Sequence, residues 1–551
     1  MQPLRIFMRA ALVGACACLI CLIDARSAPA DYRDLMGFPE LQTLLGGALP
    51  DGSGIAKVTL VEGTDGNGDY MPSAHSELNT KTFTNVTSAA GVTQASGGSS
   101  NHATFVARNY VGKVVNPPRG SIAPGLSSID VYEANHWMGL EHDGSQYTAA
   151  TLSGFLDVPF SVTPNPPGDP IIGVNTVGAE LPDTTDSRIV NHSWIAEFSS
   201  AAVNGDALRR YDFTVEQDDL IQVAGLPNNA NADASLWKNA YNGISVGLTN
   251  GLHRDGTRPV DSVYTSGRVA PTVVAHGHRP DGLSYFTSWA TPQVSAWVAL
   301  HLEVASSNPG LSNGAYTVRS RTPEHEMTIN HAEASEVVKA TLMAGADRYV
   351  MQRGPSLTTY SADTTNNLDG DFGAGQMNVF NSYLILAAGE SDSVEDGGGP
   401  VENYGWDYDP SFGGLDGSNA TATYGFTAGT GPEQLFATLA WNIDIEDGDL
   451  VTAGFQPEAT LYDLDLQLFD VTGIDELVAA SVSDIHNTEN IVFDVTAGRD
   501  YQLRVIKGQE ADFNWDYALA WRVSGVAIPE PCSLLLMIVA FALLQRGFRR
   551  R

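Results

Sequence analysis

Six short runs rich in apolar and β-branched residues constrain this chain more than any other feature. They are IAKVTLVEG (55–63), SSIDVYEA (127–134), SRIVNHSW (187–194), LIQVAG (220–225), NGISVGL (242–248) and APTVVAHG (270–277). Their apolar residues run on without a strict period of two, so each reads as a strand buried on both faces. Stretches of helical character separate them. Continuous apolar strands interleaved with helices predict an α/β domain with a parallel sheet covered on both sides. This pattern holds over about 41–388 and then stops. After the Gly/Asp-rich stretch GESDSVEDGGGPVENYG, the period becomes two: in LYDLDLQLFDV, Leu464, Leu466 and Leu468 alternate with Asp463, Asp465 and Gln467. NIVFDV, YQLRVI and YALAWRV follow, separated by turn residues, which predicts an all-β sandwich. The expected organisation is an α/β domain over 31–390, a linker over 391–402 and a sandwich over 403–526.

Both ends read as targeting segments. Arg5 and Arg9 precede an apolar run over 10–23, and Ala28-Pro29-Ala30 offers a small-residue cleavage site, so residues 1–30 read as a secretory signal. Cleavage before Cys16 in VGAC, as in a lipoprotein, leaves a very short apolar stretch and fits less well. At the other end, Pro529-Glu530-Pro531 leads into an apolar run over 532–544 and then Arg546, Arg549, Arg550 and Arg551. The run is short for a full membrane span, and the arginines favour the cytoplasmic side. The three parts together resemble the PEP-CTERM sorting tail, which implies over 527–551 a segment recognised at the inner membrane and removed by an exosortase-like enzyme. The resemblance implies an exported protein of the cell surface or extracellular matrix, handled by signal peptidase and then by the sorting machinery.

All four cysteines (Cys16, Cys18, Cys21, Cys532) lie in these end segments. A processed chain therefore has no disulfide, thiolate zinc site or cysteine nucleophile. Seven of the thirty basic residues go with the same segments, along with Asp24 and Glu530. Their removal takes the formal charge from −34 to about −39. So acidic a body excludes nucleic acid as a partner.

Three segments carry reactive residue types at element ends. A strand ends in Glu62 within AKVTLVEGTDGNGD; His102 opens a helix in SSNHATFVARNYVG; Ser288 opens another in GLSYFTSWATPQVSAWVALHL. A serine needs a base to become nucleophilic, and the base needs an acid to fix its tautomer. Ligand sites of open α/β sheets lie at the strands' C-terminal ends, where these three residues can converge. Thr287 or Ser288 is expected to cap the second helix, with Pro292 in its first turn, where the missing N–H costs little.

The order acid, histidine, serine resembles the subtilisin-like serine proteases. The matching residues are Val58-Thr59-Leu60-Val61-Glu62-Gly63, His102-Ala103-Thr104-Phe105-Val106-Ala107 and Thr287-Ser288-Trp289-Ala290-Thr291-Pro292. SIAPGLSSIDVY, RIVNHSW, GRVAPTVVAHG and FGAGQMNVFNSYL fall in the family's order too, so the resemblance spans about 54–386. It implies a subtilisin-like three-layer α/β domain and an endopeptidase acting on protein or peptide substrates without a cofactor. His102 would be the base, Glu62 its orienting acid and Ser288 the nucleophile. Asn228 in VAGLPNNANAD, with Asn229 beside it, would be the oxyanion donor. The sandwich resembles those appended to many subtilases and is a candidate binder of extracellular polysaccharide. The chain departs from the family pattern in carrying Glu62 for an aspartate and Ala103, Arg108 and Phe286 for glycines. About thirty residues precede Glu62 after signal cleavage, too few for the usual folding prodomain. These departures leave a rival reading, a catalytically silent subtilase fold kept as a surface or matrix protein.

Four further signals are weaker. Asp65, Asn67 and Asp69 have the spacing of a Ca²⁺ loop, a candidate structural site, but Ser76 stands where the closing glutamate belongs. DGD at 369–371 is a poorer match. HEMTINH (325–331) lacks the second histidine of a zinc-protease helix and reads as a surface helix. His192 reads as packing.

Overall fold

The structure is a computed structural model. It describes residues 32–525 apart from 90–96, 115–119, 143–146, 150–153, 159–160, 164–170, 174–180, 199, 230–235, 283, 349–359, 414–419, 447–454 and 509–512. The signal and sorting segments lie outside the described residues. Among those described, no helix is long and apolar enough to cross a membrane.

Seven parallel strands form one sheet: β1 (Val58–Glu62), β2 (Thr82–Asn85), β3 (Ser128–Glu133), β4 (Ile189–His192), β5 (Ile221–Gly225), β6 (Ile244–Leu248) and β7 (Val273–Ala275). The order across the sheet is β7-β6-β5-β4-β1-β3-β2. Six of the strands are the six apolar runs. β1, β4 and β5 are buried at every residue, which explains why they lack alternation. The seventh, β2, has no such run: it lies at the sheet's edge, and its residues alternate between exposed and half-buried.

Neighbouring residues of one strand feed two different cores. Leu60, Ile189 and Val223 face the core that holds helix α3 (Thr287–Ser307), whereas Val61, Val190 and Ala224 face the one that holds helix α2 (Ala201–Glu216). Helix α1 (Asn101–Val111) packs on the same face as α3. α3 is apolar on nearly all sides and buried along most of its length, as a helix inside a domain must be. After β3 the chain crosses β1 and builds β4 to β7 on the other side. The connections therefore reverse between β1 and β4, and such a reversal opens a crevice beyond the carboxyl ends of the two strands.

The C-terminal part consists of two four-stranded antiparallel sheets. Its strands are β8 (Tyr404–Phe412), β9 (Thr421–Thr427), β10 (Glu433–Ala440), β11 (Leu464–Asp470), β12 (Glu476–Ser481), β13 (Thr488–Val495), β14 (Asp500–Lys507) and β15 (Trp515–Gly525). They are ordered β8-β15-β10-β13 and β9-β14-β11-β12 around a shared core that includes Tyr424, Trp441 and Trp521. On β11, Leu464, Leu466 and Leu468 point inward and Asp465 and Gln467 outward, as the period of two requires.

The two parts are fused rather than tethered. Helix α4 (Ser335–Gly345) lays Ala340 and Ala344 against Ala518, Ala520 and Trp406, small residues that let helix and sheet approach closely. Arg522 donates to the carbonyls of Ala344 (2.9 Å) and Ala346 (3.1 Å). Ile443, Ile445 and Phe455 reach into the α/β core, and Phe455 meets Phe213 at 4.9 Å. HEMTINH is not a surface helix: Met327–Asn330 is a strand paired with Ala315–Val318. Its Thr-Ile pair favours extended backbone, and Ile329 is the residue it buries.

Candidate active site

Glu62 is the last residue of β1, and its strand is locked on both sides, Val61 opposite His192 and Glu62 opposite Glu133. Its side chain is 0% exposed, and Oε2 lies 2.7 Å from His102 Nδ1. Among the described residues Oε1 has no hydrogen-bond partner. His102 is the second residue of α1, whose N-cap Ser100 accepts the Ala103 N–H at 3.4 Å. The imidazole is 40% exposed, so it is anchored at one end and accessible at the other. Burial raises the Glu62 pKa, and His102 only partly offsets this. Burial also pulls His102 down, but the charge and hydrogen bond of Glu62 prevail and hold it above the usual 6.5. With a carboxylate on Nδ1, the proton sits there and Nε2 is left as the basic nitrogen.

Ser288 occupies the mouth of α3, but neither it nor Thr287 is the cap. The capping position is Phe286, whose side chain makes no capping bond. The first N–H of the helix, that of Thr287, donates instead to Asn228 Oδ1 at 2.6 Å, while the Thr287 hydroxyl, 3.0 Å from the same atom, has its nearest acceptor in the Leu226 carbonyl at 2.6 Å. A loop distant in sequence thus does the capping. Gly225 lets that loop approach, because a Cβ there would come within 2.6 Å of Thr291 Oγ1. With Oδ1 held by the Thr287 N–H, the amide N–H₂ of the exposed Asn228 makes no hydrogen bond among the described residues. The Ser288 N–H, second in the helix, has no intrahelical acceptor. A backbone N–H at a helix mouth is the kind of donor an oxyanion hole uses.

Pro292 lies beyond the first turn, contrary to expectation, and its missing N–H orphans the carbonyl of Ser288. Ser193, just past β4, replaces it: Ser193 Oγ donates to that carbonyl at 3.2 Å. In return Ser288 Oγ donates to the Ser193 carbonyl at 3.3 Å. Among the described residues no hydrogen bond joins Ser288 to His102, so the hydroxyl rests on β4 rather than on the imidazole. Rotation about a single side-chain bond releases it, and such bonds often tighten only when substrate is present.

Two of the three replaced glycines have local explanations. Phe286 has extended backbone (φ −143°), which any residue adopts, and its ring is 43% exposed. Arg108 turns away and forms a buried bidentate pair with Glu77 at 2.8 Å. Trp289 and Ser193 were not anticipated as site residues. The Trp289 ring lies 5.1 Å from that of His102, tilted by 40°, and its Nε1 is fixed to Ser284 Oγ at 3.1 Å. Its place next to Ser288 was the available signal.

The Asp65–Asp69 loop is closed by its own hydrogen bonds. Asp65 Oδ1 accepts the N–H of Asn67 at 2.8 Å and of Asp69 at 3.1 Å. Among the described residues no group of three or more His, Cys, Asp or Glu is placed to hold a metal ion. Asp369 likewise accepts nearby backbone N–H groups. His192 is fully buried, bonds Gln222 at 2.9 Å and is held down at about 3 by burial among Trp137, Trp194 and Trp237.

Fold and site together define an α/β domain with a serine, an imidazole and a buried carboxylate gathered where its sheet connections reverse. No family model matches the chain, and no curated protein matches it by sequence. Among solved structures it is similar to a serine-to-alanine mutant of the protease domain of PatA, at 15% identity over 62% of this chain and 98% of that one, with a TM-score of 0.34. Another is the pre-peptidase C-terminal domain of collagenase from Bacillus anthracis, at 16% identity over 21% of this chain and 87% of that one, with a TM-score of 0.15.

Proposed function

We propose that the chain is an exported, subtilisin-like serine endopeptidase that cleaves peptide bonds through an acyl-enzyme. The 2.7 Å bond between Glu62 and His102, beside a serine at a helix mouth, carries this reading. His102 Nε2 takes the Ser288 proton as Oγ bonds to the substrate carbonyl carbon. The oxyanion is held by the Ser288 N–H and the Asn228 amide. His102 then protonates the leaving amine as the C–N bond breaks, and water releases the acyl group by the same route. The terminal segments add export and removal of a sorting tail by an exosortase-like enzyme. The sandwich adds a surface for extracellular polysaccharide.

The bond from Ser288 Oγ to the Ser193 carbonyl favours a second reading, a silent fold retained at the cell surface. A fluorophosphonate probe separates the two. The folded wild-type chain should be labelled and Ser288→Ala should not; absence of labelling from pH 5 to 10 would leave the silent fold. Asn228→Ala should lower kcat about 10²–10³-fold with a smaller change in KM, measured on a peptide substrate.

A further inference from the structure

A partly open cavity with about 30 Å³ of room for the centres of water-sized molecules lies between the two parts of the molecule, beside the first residues of β6 and β7 and thus at the opposite sheet edge from Ser288. The α/β domain lines it with Lys238, Arg268 and Lys339, and the sandwich with His486, Asn487 and Thr488. The chain has 64 acidic residues and 30 basic ones, yet among the described residues no Asp or Glu lines this cavity.

Arg268 and Lys339 are each only 5% exposed, and among the described residues neither makes an ion pair. Each donates to backbone carbonyls. Arg268 reaches Asn239 and Ala240 and stacks 3.6 Å from the Tyr241 ring centroid; Lys339 Nζ meets the Tyr241 carbonyl at 2.6 Å. That accounts for one of three ammonium N–H groups. The nearby carboxylate of Asp212 is occupied by the N–H of Tyr241 (3.0 Å), the N–H of Asn242 (2.9 Å) and the hydroxyl of Tyr264 (2.9 Å). His486 is neutral, because its Nε2 accepts the Val269 N–H at 2.9 Å. Buried charge without a direct ion pair is costly, and proteins pair it or bind an ion there.

We propose that this cavity binds a small oxyanion of the sulfate or phosphate class, compensated by Lys339 and Arg268 and fastening the sandwich to the α/β domain. Burial lowers Lys339 to about 8, the charge of Arg268 adds to the fall, and the carboxyl groups of Asp212 and Glu336 offset it only in part. A bound anion favours the charged amine, so binding is strongest below pH 8 and weakens above it.

The test is thermal unfolding of the full chain at pH 7 and constant ionic strength, with chloride replaced stepwise by sulfate or phosphate and by acetate as a carboxylate control. Wild type should gain roughly 1–2 °C for each tenfold rise in sulfate or phosphate above Kd. Lys339→Met should lose that gain. An equal gain in both proteins is a general salt effect on burial and overturns the proposal, as does a gain with acetate as large as with sulfate. If Lys339→Met does not fold, calorimetric titration of sulfate into wild type decides. Saturable one-to-one binding at pH 7, weakened at least tenfold at pH 9, supports the site; no saturable heat at pH 7 overturns it.

Discussion

Replacing Ser288 by alanine is expected to lower kcat by about 10⁶-fold while leaving the fold almost untouched. The two effects separate because the hydroxyl does so little structurally. It makes one 3.3 Å bond to the Ser193 carbonyl, and a neutral hydrogen bond of that kind is worth about 1 kcal/mol. The helix does not depend on it, since Asn228 caps the Thr287 N–H, and the return bond from Ser193 uses the backbone carbonyl of residue 288, which alanine retains. His102→Ala should cost about as much, and the double variant little more than either, because a nucleophile without its base and a base without its nucleophile fail at the same step. The measurement is kcat on a peptide substrate alongside Tm for all four proteins. Independent, additive losses would mean that Ser288 and His102 do not act as a unit. Turnover retained in Ser288→Ala would place the chemistry elsewhere.

The sheet was legible because burial on both faces writes itself into a strand as an unbroken apolar run, and six of the seven strands have one. β2 escaped because an edge strand needs no such run. Glu62 and His102 were legible as element ends of a suitable chemical type and meet at 2.7 Å; Ser288 was legible as a helix mouth, where its hydroxyl bonds the Ser193 carbonyl rather than His102. The capping of α3 was not. Thr287-Ser288 has the composition of an N-cap, but the first N–H group was taken by Asn228, a residue 59 positions away. Local pattern cannot reveal a tertiary competitor for a backbone donor. Pro292 misled in the same manner: the carbonyl it leaves unpaired is made good by Ser193, from the segment just past β4. HEMTINH contained a helix-like spacing of charged residues, and its β-branched centre decided the outcome.

Glu62→Gln is expected to lower kcat by about 10⁴-fold and to move the acid limb of the kcat/KM profile to lower pH. On the proposed mechanism, activity requires neutral His102. The Glu62 carboxylate holds the imidazole above 6.5, so activity should rise with pH through a limb above that value. The same shift sets a stability term of definite sign. A histidine whose folded pKa exceeds its unfolded one stabilises the fold fully below about 6.5, and that contribution fades as pH climbs through the folded value. Glutamine removes the charge and leaves burial to dominate, so the limb moves down even as the plateau collapses. An amide that donates to Nδ1 also imposes the wrong tautomer. Glu62→Asp tests geometry alone. β1 is held in register by β3 and β4 and cannot follow a shorter side chain, so the carboxylate withdraws by about 1.5 Å, the length of one C–C bond. A misplacement of this order costs about 10² in rate, with the limb still above that of Glu62→Gln. A glutamate serving only to fill the end of β1 would alter Tm in both variants and leave the acid limb where it stands in the wild type.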